Sequence, residues 1–495
     1  MIPMSQRASP TGLRPADPRD GRHACTPPRG TGRVGRAMVA LVACTVFAVC
    51  TVLAACAGET APRPKGVLLL VVDTLRADAL SLYGYERATS PRLDRFAAER
   101  GVVFEHARAA APWTKPSIAS IMTGLEPRQH GVMLHHHRLH GQLATLGAAF
   151  QAAGYDTAAV QSNMLLASVF GYSNGFSVYL EEHLALHSVS TGEQINADAL
   201  GWLDGRADPA RPWFMWVHHY EPHFDYLHWP GLTFETGYTG RLTGSEPMDQ
   251  LIAYTEHLGP DEIAFLRGRY DGEVLRQDQL VGDLLDGLAA RGELAETLVV
   301  FTSDHGEEFL EHGELSHQHK LFDVLLHVPL VIARPGESQP GHRIVEPVSL
   351  LDLGRTMLDL AGETKRFFPG HSFAALMQGS GGIDLAPSVA HTATVEGGSE
   401  TEPRELDMLF MGSHKLVRDL DSGERLLFDL ARDPKERRNL AAEQPERTAA
   451  LERELERFLS LRQRRGGPLA AEHVELTSEQ LERLAKIGYG PKRGE

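Results

Sequence analysis

The residues best suited to chemistry stand where apolar runs end. Asp73 closes the run Gly66 to Val72 (GVLLLVV). Trp213 to Val217 leads into His218-His219-Tyr220-Glu221-Pro222-His223-Phe224-Asp225. Thr297 to Thr302 leads into Ser303-Asp304-His305-Gly306-Glu307-Glu308, with Glu311-His312-Gly313 and Ser316-His317-Gln318-His319-Lys320 just beyond. Carboxylates and imidazoles of this kind hold a divalent ion. Any one of them alone reads as a buried polar residue with its hydrogen bonds satisfied; several such segments together read as a metal site. A further segment, Pro112-Trp113-Thr114-Lys115-Pro116-Ser117, sets Thr114 just ahead of a helix expected over Ile118 to Thr123. Free backbone N–H groups at a helix start favour an anion. A lone Thr there is a helix cap. Beside a metal it becomes a nucleophile, because a Thr hydroxyl is weak at neutral pH unless activated. The same ion stabilises charge on a phosphoryl or sulfuryl oxygen. The set therefore predicts ester cleavage at phosphorus or sulfur through a covalent Thr114 intermediate. The run His135-His136-His137 reads as surface decoration.

These groups need a scaffold that gathers strand ends. Continuous apolar runs at Gly66 to Val72, Thr157 to Val160, Trp213 to Val217, Thr297 to Thr302 and Val328 to Ala333 read as buried parallel strands. Helical spacing is found at Ser90 to Arg100, Leu143 to Ala153 and Asp261 to Arg291. The alternation predicts an α/β fold with a mostly parallel central sheet and helices on both faces. Ligands then bind beyond the carboxyl ends of the strands. Past residue 380 the texture changes. Short strands are expected at Leu406 to Met411, His414 to Arg418 and Arg425 to Asp429, with helices at Glu446 to Arg464 and Ser478 to Ile487. Thr477 and Gln480 give the last helix a capping-box pattern. This predicts a catalytic domain over residues 66–380 and a small antiparallel α+β subdomain over 381–495.

Composition narrows the setting. The chain has 495 residues, 42% hydrophobic and 23% charged, as in a soluble globular protein. Lys and Arg number 49 against 65 Asp and Glu, a net charge of −16, so no nucleic-acid partner is expected. The cysteines are Cys25, Cys44, Cys50 and Cys56, which leaves the body without a disulfide framework, a Cys-ligated zinc or a Cys nucleophile. Residues 1–36 read as disordered. Arg33 and Arg36 precede an uncharged run, Ala37 to Ala55, in a secretory signal pattern. Leu53-Ala54-Ala55-Cys56 resembles a lipoprotein lipobox, which implies removal of residues 1–55, lipidation of Cys56 and a tether over 56–65. An uncleaved membrane anchor is the competing reading. Either places the body outside the cytoplasm, in the periplasm or cell envelope.

The ordered segments Val71 to Asp78, Pro91-Arg92-Leu93-Asp94, Pro112 to Ser117, Thr123 to Pro127, His130-Gly131-Val132, Glu221-Pro222-His223, Ser303 to Glu307, Val328-Pro329-Leu330 and Phe428 to Pro434 with Asn439-Leu440 resemble the sulfatase branch of the alkaline phosphatase superfamily. The resemblance implies that Asp73, Asp304 and His305 are metal ligands and that Thr114 stands at the nucleophile position. It implies that His317 or His319 supplies a leaving-group acid, a substrate contact or a further ligand. Glu221 and His223 match a stretch that binds a second metal in two-metal relatives and contacts the ester in one-metal relatives. Two departures stand out. Sulfatases carry a Cys or Ser that becomes formylglycine, in Cys/Ser-x-Pro-x-Arg; here Thr114 and Ile118 stand instead. Thr74 stands where another Asp ligand is usual. Fewer anionic ligands favour Zn or Mn, one or two ions, over Ca or Mg. Both departures resemble Thr-nucleophile relatives that act on phosphorus. The expectation is a hydrolase of phosphate mono- or diesters, with a small-molecule, lipid or glycan substrate. The alternatives are a phosphoethanolamine- or phosphoglycerol-type transferase, a sulfuric ester hydrolase and a silent binding protein.

Overall fold

The computed structural model describes residues 63–184, 191–224, 226–234, 237–244, 246, 250–251, 254–337, 339–365, 367–379, 387–394, 404–464 and 472–486. The expected signal, Cys56, the tether up to residue 62, Asp225 and the boundary at 380 lie outside them; the last expected tether residue, Lys65, is already tied to the body, its N–H on the Glu296 carbonyl at 2.8 Å. Residues Ala61–Glu495 form one compact unit.

The main sheet contains β1 (Gly66–Val72), β2 (Val102–Arg108), β4 (Asp156–Gln161), β5 (Val178–Leu180), β6 (Trp213–His219), β7 (Thr297–Ser303), β10 (His327–Ala333), β11 (Arg343–Ile344) and β12 (Val348–Ser349). Its order is β11-β2-β10-β7-β1-β6-β4-β5, with β12 also on β2. The five strands from β7 to β5 are parallel. β1 shows why the apolar run is continuous. Val67, Leu69 and Val71 enter one core with the helices α2 (Thr114–Thr123), α4 (Leu146–Ala152) and α8 (Leu353–Leu360). Leu68, Leu70 and Val72 enter the other with α1 (Pro91–Arg100), α5 (Gly192–Asp204) and α6 (Pro260–Ala290). A strand covered on both faces has no polar side to alternate with.

Three expectations need correction. β10 is antiparallel to both β7 and β2, not parallel. An apolar run carries no direction; here the four-residue helix α7 (Asp323–Leu326) leads straight into the strand. The helix expected from Leu143 starts at Leu146, because Thr145 accepts the Ala148 N–H at 3.1 Å and caps it there. The helix expected from Ile118 starts at Thr114, since Pro116 falls in the first turn, where a missing N–H breaks no bond.

Short pairs β8 (Glu308–Phe309)/β9 (Leu315–Ser316) and β3 (His137–Arg138)/β17 (Glu472–His473) flank the sheet. A second, antiparallel sheet follows: β13 (Ser388–Thr394), β14 (Arg404–Met411), β15 (His414–Asp419) and β16 (Arg425–Asp429), in that order. Leu451, Leu455 and Phe458 of α9 (Pro445–Arg464) pack on it. The last described helix, α10 (Ser478–Lys486), has its capping box: Thr477 N–H donates to Gln480 Oε1 at 2.9 Å and Gln480 N–H to Thr477 Oγ1 at 3.3 Å. Among the described residues, no helix is long and apolar enough to cross a membrane.

Candidate active site

The register of β1 builds the site. Val72 pairs with His219 of β6 on one side and Ser303 of β7 on the other. Asp73 and Asp304 therefore leave adjacent strands at the same height, with His218, level with Val71, two residues below and on the same face. Ligand atoms of Asp73, His218 and Asp304 all lie within 4.8 Å of one another. His305 Nε2 stands 3.3 Å from Asp73 Oδ1 and 3.6 Å from Asp304 Oδ2. Thr114 Oγ1, in the first turn of α2, lies 3.3 and 3.4 Å from the two Asp73 oxygens and 3.2 Å from His305 Nε2. All five residues are fully buried.

Surrounding hydrogen bonds fix each side chain. Asn163 Nδ2 donates to Asp73 Oδ2 at 2.7 Å. The backbone N–H groups of His305 and Thr74 donate to Asp304 Oδ1 at 2.9 and 3.3 Å. Ser117 Oγ donates to the Asp304 carbonyl at 2.6 Å, which ties α2 to the end of β7. Thr74 is held at φ 54°, where a β-branched residue is strained by about 1–3 kcal/mol. Tyr270 OH donates to its carbonyl at 2.8 Å and holds it there.

The donor set fits a divalent cation. His305 Nδ1 sits 2.9 Å from the Gly306 carbonyl, an acceptor, so that nitrogen carries the proton and Nε2 presents a lone pair. That lone pair faces carboxylate oxygens. Asp304 Oδ2 and both His218 nitrogens are buried without a hydrogen-bond partner. Unpaired groups at this depth are costly, and a cation among them supplies the missing partner. The electrostatics say the same. Burial alone would raise Asp73, but the His305 hydrogen bond and the field of His223 and His305 hold it well below the carboxylate range. Burial and the charge of Asp73 push Asp304 up. Burial would lower His305, yet Asp304 and Asp73 draw it up to about 9, so that without an ion a proton on Nε2 takes the cation's place between the carboxylates, and a bound ion would displace it.

Around this cluster lie His317 and His223. The His317 ring is 4.5 Å from that of His305 and 5.2 Å from that of His223, centre to centre. Its Nδ1 is 2.9 Å from Glu307 Oε1. Ser316 and Gln318, both at positive φ, turn the chain on either side of it. His223 stacks on Tyr220, with Nδ1 3.0 Å from the Phe224 carbonyl. Other polar side chains of these segments make contacts of their own. Glu221 Oε1 accepts the Thr191 N–H at 2.7 Å. His319 is half-buried and acts electrostatically on His317 and His135. Lys115 is buried, donates to the His135 carbonyl and lies 3.3 Å from the centre of the Phe170 ring. Lys320 pairs with Glu314 at 3.3 Å. The sequence reading missed His218, Asn163 and Glu307 as site residues. His218 was visible only as one of two adjacent histidines.

Comparison with known proteins agrees with the fold and shows the family. Arylsulfatase K of Xenopus laevis is 26% identical over 482 residues, covering 86% of this chain and 88% of its own. The solved phosphonate monoester hydrolase of Agrobacterium radiobacter superposes with a TM-score of 0.67 at 22% identity, covering 84% of this chain and 99% of that one. A protein solved with its substrate D-glucosamine-2-N,6-O-disulfate does so at 0.67 and 21%, covering 82% and 99%. At these identities the superpositions speak to the fold. The family model Sulfatase matches residues 65–363, more than half of the chain. The chain thus belongs to the sulfatase family of the alkaline phosphatase superfamily and is a hydrolase of that metal-dependent family.

Proposed function

We propose that the protein hydrolyses esters of phosphorus through a covalent Thr114 intermediate. The observation that carries this is the placement of Thr114 Oγ1 between Asp73 and His305 at the N-terminus of α2. Thr is not a formylglycine precursor, so Thr114 attacks as a plain hydroxyl. Asp73, His218, Asp304 and His305 would hold the ion, and mixed carboxylate and imidazole donors suit Zn or Mn. Bound there, the metal acts as a Lewis acid toward the nucleophile and the phosphoryl oxygens.

The chain's own residues do the rest. Asp73 accepts the Thr114 hydroxyl hydrogen bond and aligns Oγ1. The Thr114 proton passes to Asp73 as the Oγ1–P bond forms and the P–O bond to the leaving group breaks. The His317–Glu307 pair delivers a proton to the leaving oxygen. The phosphothreonine then lies at the start of α2, where the helix dipole favours negative charge. Water gives one proton to the His317–Glu307 pair as its oxygen attacks phosphorus, Asp73 returns the other to Thr114 Oγ1, and the phosphate or phosphonate leaves.

The test is a rate comparison of p-nitrophenyl phosphate, bis-p-nitrophenyl phosphate, a p-nitrophenyl phosphonate and p-nitrophenyl sulfate. Thr114→Ala is expected to fold, keep its metal and lose at least ~10³-fold in kcat. Full activity in that variant overturns the scheme. A second reading, sulfate ester hydrolysis, draws on the names of the relatives, arylsulfatase K and a protein bound to a sulfated glucosamine. Sulfate turnover exceeding every phosphorus ester would select it. Turnover that appears only when an alcohol acceptor is added would select group transfer. The lipobox-like Leu53-Ala54-Ala55-Cys56 supports membrane anchoring outside the cytoplasm, and Cys56→Ser should then release the protein from the membrane fraction.

A further inference from the structure

The histidine run at residues 135–137, read from sequence as decoration, meets a third segment in the fold. The pair β3/β17 is antiparallel, with His473 directly opposite His137 and Glu472 opposite Arg138. The Val474 N–H donates to the His136 carbonyl at 3.0 Å and extends the pairing. Three imidazoles are thereby brought into a triangle. Ring centres lie 4.7 Å apart for His136 and His137, 4.8 Å for His136 and His473, and 5.1 Å for His137 and His473. One ring nitrogen from each lies within 4.8 Å of the others. Ligands on a tetrahedral ion with metal–nitrogen bonds of about 2.0–2.1 Å sit roughly 3.3 Å apart, so small side-chain rotations close the set.

We propose that His136, His137 and His473 form a second metal site, for a zinc-class ion, that pins the C-terminal tail to the body. The donor chemistry selects the ion. Three neutral imidazoles suit zinc, copper or nickel, whereas calcium and magnesium require oxygen ligands. This sets the site apart from the carboxylate-rich cluster on Asp73. Orientation is already supplied at His137. Its Nδ1 is held by the Met133 and Leu134 N–H groups at 3.2 and 3.3 Å and by the Gly131 carbonyl at 2.9 Å, which fixes the ring and leaves Nε2 as the nitrogen that would bind the ion.

The ion has mechanical work to do. The tail rests on a two-residue ladder, an Arg138–Glu472 pair at 3.5 Å, and the apolar contacts of Val474, Leu476 and Leu484. A shared ion clamps that ladder at its centre. The loop it clamps continues into His135, which packs edge-on to Trp113 beside the nucleophile helix.

The experiment uses the full chain equilibrated with buffered zinc. The wild type should bind one more zinc per chain than His473→Ala, an exposed position whose loss leaves the fold intact, or than His136→Ala. Zinc should also slow amide hydrogen exchange over residues 472–486 at least tenfold in the wild type and leave it unchanged in His473→Ala. Equal zinc content in all three proteins overturns the proposal, as does tail exchange in the wild type that ignores zinc.

Discussion

Asn163 does for Asp73 what a coordination geometry requires: it holds one carboxylate oxygen at 2.7 Å so that the other faces Thr114 and His305. Its own Oδ1 is fixed by the Leu165 N–H at 2.9 Å. Loss of such an outer partner typically lowers metal affinity or activity about 10- to 100-fold. Asn163→Ala should fall in that range in kcat, with the fold intact by circular dichroism. His218→Ala removes a donor outright and should raise the metal dissociation constant at least ~10-fold, measured by competition with a chelator. Why His218 and not His219 is a matter of parity. Successive strand residues point to opposite faces. His219 turns to Asn196 of α5 at 3.1 Å and to Gln277 of α6, on the face those two helices cover. The sequence shows that the two histidines differ in face, but not which face holds Asp73; only the register of β6 on β1 decides that. Glu221 was equally ambiguous: Oε1 accepts the Thr191 N–H at 2.7 Å, while Oε2 is buried without a hydrogen-bond partner.

At the scale of elements, the strands whose both faces are covered were readable as apolar runs, and the charged helix α9 as a periodic stripe. β2 was not, because Glu105 and His106 break its run where only short strands and β10 flank it. Contacts between distant elements leave even less trace. Asp278, in the middle of α6, accepts the N–H groups of Arg92 at 2.9 Å and Leu93 at 2.8 Å and so caps α1 from outside. Burial raises its carboxyl to about 6, against the pull of those two N–H groups. A folded-state pKa above the unfolded value of about 3.9 favours the protonated form. Its contribution to stability is therefore full below pH ~4 and is lost as pH rises toward 6. Asp278→Asn keeps an acceptor and removes the titration. Between pH 4 and 6.5, wild-type urea stability should fall by roughly 2–3 kcal/mol relative to this variant. Parallel pH profiles for the two proteins would contradict it.

The whole molecule is braced by a buried charge network between the two sheets. Lys415 of β15 is fully buried, 2.8 Å from Asp323 Oδ1 and 2.8 Å from Glu436 Oε1, the latter as an ion pair without hydrogen-bond alignment. Arg108, at the end of β2, pairs with Asp323 at 2.7 Å and lies over the Phe410 ring of β14, 3.7 Å from its centre. Asp323 opens α7, whose Leu325 carbonyl accepts the Gly306 N–H at 2.8 Å, one residue from His305. The second sheet thus reaches the metal cluster through α7. Lys415→Met leaves Asp323 and Glu436 facing each other with one cation fewer. Breaking a buried pair from one side costs about 3–5 kcal/mol, more than the pair itself contributes, because the stranded charge stays buried. Adding Glu436→Gln removes that charge and should recover most of the loss. Since Ala61–Glu495 is one compact unit, urea unfolding should remain a single transition in the wild type and in both variants, followed by far-ultraviolet circular dichroism and by tryptophan emission. Trp113, Trp213 and Trp216 all belong to the first core or sheet, while the circular dichroism also senses the second sheet. Two separated transitions would mean that the C-terminal sheet folds by itself and that the network joins two finished parts.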